Sequence, residues 1–222
     1  MPAGCKQPLV STKKKAHKTR QKAPRKAAKR AAPPALPYFV HPQGLADSEH
    51  IGSSTRIWAN AHVMKGAVVG SHCNIGECSF VESGAVLGDH VTIKNGVQVW
   101  DGVTCEDYVF CGPNATFTND LRPRVAHPAA EFVKTRVGYG ASIGANATIV
   151  AGISIGPQAM IGAGTVVIRD VPAHALMVGN PARQVGWACS CGTKLAATLV
   201  CPSCAKRYEK ADTGLRPAAG AF

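Results

Sequence analysis

The chain has 222 residues, 45% hydrophobic and only 6% aromatic, with a formal net charge of +12, which suits one sizeable domain plus a small appendage. No apolar run approaches the ~18 residues of a membrane span, and no apolar stretch follows the basic N-terminus as in a secretory signal, so a cytoplasmic protein with no membrane partner is expected. Nine cysteines without an export signal point to thiols or metal ligands rather than a disulfide framework.

The first segment explains the charge. Residues 1–37 hold 11 of the 25 Lys and Arg and none of the 13 Asp and Glu, so the rest is almost neutral. Runs such as Lys13-Lys14-Lys15 and Pro24-Arg25-Lys26 cannot repay the entropy of folding. Residues 1–37 therefore read as a disordered basic tail. Its chemistry allows loose, salt-sensitive contact with nucleic acid, though a solvated extension is the plainer reading.

From residue 38 a repeat takes over. Every sixth residue is apolar from Phe39 and Leu45 through Ile51, Ile57 and Val63 to Cys105, Cys111 and Phe117, and again from Val137 to Val167. Twenty hits in twenty is a chance of roughly one in ten million. A six-residue period fits neither a helix nor simple alternation. It fits a short strand and a tight turn repeated as a β-helix. The residue after the apolar position is Gly in nine repeats, Gly52, Gly70 and Gly144 among them. These glycines are expected to supply turn conformations closed to other residues. Three hexads per coil would stack Ile51, Val69, Leu87 and Cys105 as one inner ladder.

One hexad is interrupted. Phe117 and Val137 are 20 residues apart, so a 14-residue insertion leaves the prism there. This loop, 120–133, carries Arg122, Arg124 and His127, with Asn119 at its base. A long loop in so regular a repeat reads as functional. Asp101 lies 18 residues before Asn119, one coil earlier on the same outer ladder. Both residues also suit turn caps.

Beyond the repeat, Cys189, Cys191, Cys201 and Cys204 form CxC-x9-CxxC. Four thiolates in two knuckles suit a closed, structural zinc site. Residues 188–210 read as a zinc-ribbon-like segment, too short to fold without a staple, and 211–222 as a C-terminal tail. The other cysteines lack partners at metal spacing, and Cys105 and Cys111 fall at core positions.

The strings IWANAHVMKGA (57–67), VFCGPNATFTNDLRPR (109–124), IGANATIVAGISIG (143–156) and IGAGTVVIRDVPAHALMVGNPARQVGW (161–187) resemble the hexapeptide-repeat acyltransferases, more narrowly the nucleotide-sugar N-acetyltransferases. The resemblance covers about 38–187. It implies an all-β, left-handed parallel β-helix over 38–187, a homotrimer, and active sites in clefts between neighbouring prisms. It implies acetyl-CoA as co-substrate and a UDP-linked 3-amino sugar, a uronic acid in bacterial surface polysaccharide assembly such as O-antigen, as acceptor. A deoxythymidine-diphosphate amino sugar and sugar O-acetylation are the alternatives.

The same resemblance assigns residues. Asn119 matches the position that contacts the sugar amine, and Arg124 the loop Arg suited to carboxylate or phosphate. His62 matches an early-coil histidine, with packing as an equal reading. Trp100 could stack on a uracil ring or pack between subunits. On the coenzyme side, Ala145 and Ala163 leave room for a pantetheine arm, and Arg169 and Arg183 would meet its phosphates. A γ-type carbonic anhydrase needs three convergent histidines, which the spacing of His62, His72 and His90 does not supply. A β-helix scaffold with a nucleic-acid-binding tail is the non-enzymatic alternative.

Overall fold

The computed structural model describes residues 37–218, so the basic tail expected over 1–37 lies outside the described residues apart from Pro37. The described chain contains β-strands and turns and no helix, hence no helix long and apolar enough to cross a membrane. Most strands are two residues long and fall into three sheets of nine, seven and six strands, parallel throughout except for the last strand of the nine-stranded sheet. Among the strands of the coils, up to Val166–Val167, every pairing is with the third strand before or after in sequence. The result is a three-sided parallel β-solenoid of seven coils, about 30 Å long at ~4.8 Å per coil.

The inner ladder is the expected one. Ile51 pairs with Val69, Val69 with Leu87, and Leu87 with Cys105. From Ile51 to Val167 the sixth positions are all buried. Cys105 and Cys111 are core residues, and the adjacent Cys105 together with burial pushes the Cys111 thiol well above its ordinary value.

The first coil departs from the expected phase. Phe39 and Leu45 are exposed, at 46% and 56%. The register instead places Val40 opposite Ile57 and Ala46 opposite Val63. The interval from Ala46 to Ile51 is one residue short, so the apolar residues before it face outward. Phe39 packs edge-on against Trp58 with ring centroids 5.7 Å apart.

The glycine reading also changes. Positive φ recurs at every sixth residue from Ser54 to Asn114, three positions after the buried apolar residue, and is occupied by Ser, Asn, Gly, His, Cys and Tyr alike. Gly52 and Gly144 are not in that region. They are required by close approach: a Cβ on Gly52 would lie 2.4 Å from Ser71 N, and one on Gly144 2.5 Å from Ala163 N. Stacking of successive coils, not turn geometry, excludes a side chain there.

The insertion leaves after strand Thr116–Phe117 and returns at Thr135–Val137. The return is in register, with Cys105 opposite Val137 and Val137 opposite Ile155. After the last coil, strand Ala175–Val178 turns back antiparallel into Arg183–Trp187. Strands Tyr208–Ala211 and Gly214–Pro217 then form a hairpin. Residues 214–217, expected as part of a terminal tail, are thus paired, and Leu215 is buried.

Candidate active site

The base of the loop is built from the following coil. Thr118 Oγ accepts the Ala151 N–H at 2.9 Å, and Thr135 Oγ accepts the Gly152 N–H at 3.0 Å. Two consecutive amides therefore hold the outgoing and returning legs of the insertion. Across the legs, Val133 N–H donates to Asn119 O at 3.4 Å, and Thr135 N–H to Gly102 O at 3.0 Å. Trp100 Nε1–H donates to Phe117 O at 3.0 Å. Thr118 and Thr135 were not singled out from the sequence, because each bonds a residue 33 or 17 positions away.

Asn119 is half-buried at this junction. Together with Arg122, Glu131 and Val133 it lines a cavity of about 240 Å³ under the loop. Asp101 lines a second cavity of about 350 Å³ with Phe132, Lys134 and the same Glu131. Gln98 pairs with Thr116, so Asp101 lies one coil before Asn119 as expected. The Asp101 carboxylate lies over Gly84, where a Cβ would come within van der Waals clash distance of it, and its N–H donates to Glu82 Oε2 at 2.9 Å. Residue Glu131, missed in the sequence, is the wall common to both cavities.

The rest of the loop is exposed. Arg124 reaches only the neighbouring Pro123 carbonyl, at 3.2 Å, and His127 N–H donates to Arg124 O. Trp100 is half-buried, tilted on Phe80 with centroids 5.7 Å apart. His62 is at the far end of the same ring column, 5.6 Å from Phe80, and bonds Asp47 Oδ2 at 2.9 Å. Its strand is three coils before Thr116–Phe117, about 14 Å along the solenoid, so one protomer does not bring His62 to Asn119. Ala145 and Ala163 stack on successive coils above Gly112 and Gly144. Their N–H groups donate to no acceptor among the described residues. Arg169 and Arg183 are exposed, and Arg183 bonds only the Ala182 carbonyl.

The histidines His72 and His90 do stack, with centroids 4.8 Å apart, but they continue onto Tyr108 rather than converging on a third histidine. Among the described residues, the metal-ligand cluster is Cys189, Cys191, Cys201 and Cys204, whose sulfurs all lie within 4.8 Å of one another. Hydrogen bonds from the Thr193 hydroxyl and N–H pull the Cys191 thiol down to about 6. The Lys206 N–H favours a Cys204 thiolate, but burial and the neighbouring thiols push that thiol up to about 11. Four thiols this close do not all ionise without a cation among them, and soft thiolate donors in a closed set fit zinc.

The sequence matches the family described as bacterial transferase hexapeptide (six repeats) over residues 50–83. It matches the hexapeptide repeat of succinyl-transferase over 134–169. Among curated proteins, a dTDP-3-amino-3,6-dideoxy-alpha-D-galactopyranose 3-N-acetyltransferase from Aneurinibacillus thermoaerophilus is 49% identical over 177 residues, 78% of this chain and 92% of that one. Serine acetyltransferase 2 from Arabidopsis thaliana is 37% identical over 93 residues, 42% of this chain and 23% of that one. Among solved structures, the acetyltransferase domain of PglB from Neisseria gonorrhoeae aligns with a TM-score of 0.47 at 23% identity, covering 68% of this chain and 58% of that one.

Proposed function

Since the chain belongs to the hexapeptide-repeat acyltransferases, we propose that it transfers an acetyl group from acetyl-CoA to the amine of a nucleotide-linked 3-amino sugar. The observation that carries this reading is 49% identity across 92% of a relative whose name states that chemistry. That name specifies a deoxythymidine-diphosphate 3-amino-3,6-dideoxyhexose. It favours this acceptor over the UDP-linked uronic acid expected from the sequence resemblance. The active form in this reading is a homotrimer of left-handed β-helices, with a site at each junction between neighbours.

The amine nitrogen attacks the thioester carbonyl carbon. The C–N bond forms, the C–S bond breaks, and the departing thiolate takes the surplus proton of the amine. A neutral amine needs little base assistance, so the protein's task is positioning and oxyanion stabilisation. Asn119 supplies the first: its side-chain oxygen accepts an amine N–H and aims the lone pair, yet an amide cannot act as a base. Asp101, one coil before, faces the same acceptor. Backbone N–H groups at Ala145 and Ala163 are the donors for the acyl-donor arm, with Arg169 and Arg183 for its phosphates. Arg124 on the loop suits the acceptor's diphosphate.

A panel of nucleotide-linked amino sugars incubated with acetyl-CoA and read by mass spectrometry tests this. The dTDP-linked 3-amino-3,6-dideoxyhexose is expected to gain one acetyl group fastest, on nitrogen. Acetylation of a hydroxyl, or no transfer to any amine in the panel, would overturn the proposal.

A further inference from the structure

The four cysteines stand at the place where the solenoid runs out. A β-solenoid has two open ends, and the last coil would present unpaired backbone at its edge. Here the chain folds back onto that edge. Ala173 N–H donates to Thr213 O at 2.8 Å, Leu215 N–H to Ala173 O at 3.2 Å, and Ala188 N–H to His174 O at 2.7 Å. The His174 ring, which burial keeps below its ordinary pKa and hence neutral, bonds the Ala188 carbonyl at 2.8 Å. It also meets the Tyr208 ring edge-on at 4.8 Å. Tyr208 Oη in turn lies 3.0 Å from Cys189 Sγ.

The covering segment has almost no core of its own. Its buried cluster is Cys189, Leu195, Cys201, Tyr208 and Leu215. Two of the five are cysteines, and three apolar side chains cannot order some 30 residues. The sulfurs supply what is missing. Cys189 and Cys204 are 3.5 Å apart, and Cys191 and Cys201 3.6 Å. These are not bonded sulfurs, which lie at about 2.05 Å. A tetrahedral zinc with Zn–S of about 2.3 Å requires sulfur–sulfur edges of about 3.8 Å.

We propose that Cys189, Cys191, Cys201 and Cys204 bind one Zn²⁺ whose role is to clamp residues 188–218 as a cap over the C-terminal edge of the solenoid. Binding releases the remaining thiol protons to solvent. With four protein ligands no position is open to substrate, so the metal takes no part in acyl transfer. This site stands whether or not the proposed acceptor is right.

Metal analysis of the full chain, purified under reducing conditions, is expected to give about one zinc per chain. Co²⁺ in its place should show thiolate charge transfer and the intense visible bands of tetrahedral cobalt. Stripping zinc with a chelator should speed hydrogen exchange at the Ala173, Ala188 and Leu215 amides by at least about tenfold. Exchange at Lys94 and Gly112, deep in the prism, should not change. Zinc added back should restore protection. Cys201→Ser with Cys204→Ser should lose both metal and protection, whereas Cys204→His, still a zinc ligand, should keep both. Reduced protein without zinc would overturn the site. Unchanged exchange at Ala173 and Leu215 after stripping would overturn the cap.

Discussion

Asn119 is where the regular repeat ends and the irregular loop begins, and it concentrates the chemistry proposed here. In the positioning mechanism Asn119→Ala lowers kcat by about 10- to 100-fold, a loss of roughly 1.4–2.7 kcal/mol, with acetyl-CoA affinity almost unchanged. His127→Ala, altering an exposed loop residue, should cost less than about threefold. Steady-state kinetics of both across pH 6–9 checks this; a collapse in His127→Ala would establish a general base instead. Thr118→Val leaves the buried Ala151 N–H without its acceptor, expected to cost about 1–3 kcal/mol in denaturant unfolding. Thr118→Ser should recover most of it. The placement of Asp101 one coil before Asn119 was legible because their 18-residue spacing is that of a coil. Thr118, Thr135 and Glu131 were not, since their partners are fixed by the closure of the loop rather than by any local pattern.

At the scale of the strand, the inner ladder was legible almost throughout because one side chain in six must be apolar in every coil. It failed at Phe39 and Leu45, where the coil shortens by one residue while apolar residues occupy both adjacent positions. The glycines were correctly seen as required, but the cause is the approach of the next coil, which only the assembled stack reveals. Where the loop returns, Glu106 and Arg136 join strands Val103–Cys105 and Thr135–Val137. Arg136 Nε donates to Glu106 Oε1 at 2.8 Å, and Tyr139 N–H to Oε2 at 2.7 Å. Burial alone would raise the Glu106 pKa, but the Arg136 hydrogen bond, the Tyr139 N–H and the Arg136 charge outweigh it and lower the value. A depressed folded value means the stabilisation is complete above the ordinary Glu value of about 4.3 and is lost as pH falls through the lower folded one. Glu106→Gln should therefore cost under about 1 kcal/mol near neutrality, the arginine being largely exposed. Unfolding curves of variant and parent should converge under acid conditions.

Across the whole molecule the charge is segregated: residues 38–222 hold 14 basic and 13 acidic groups. Deleting residues 1–36 is therefore expected to leave assembly and acetyl transfer intact, as sizing chromatography and the mass-spectrometric assay would show. An inactive or dissociated truncation would place the tail within the working enzyme. The clustering of Cys189, Cys191, Cys201 and Cys204 was legible from their spacing, but not the attachment of the C-terminal segment to Ala173 and His174, since nothing in residues 211–218 marks them as a strand.

The insertion leaves at Asn119 and rejoins at Thr135 without disturbing the ladder on either side. What lies between contributes no pair to the ladder, although Val133 packs over Gly102 and Gly152. Its exposed middle can change length without breaking a ladder pair on either side. The loop is an exchangeable cassette on a fixed spindle. A loop replacement can then alter the acceptor contact that the proposed function gives Arg124, while Asn119, Asp101 and the coils carrying Ala145 and Ala163 stay in place.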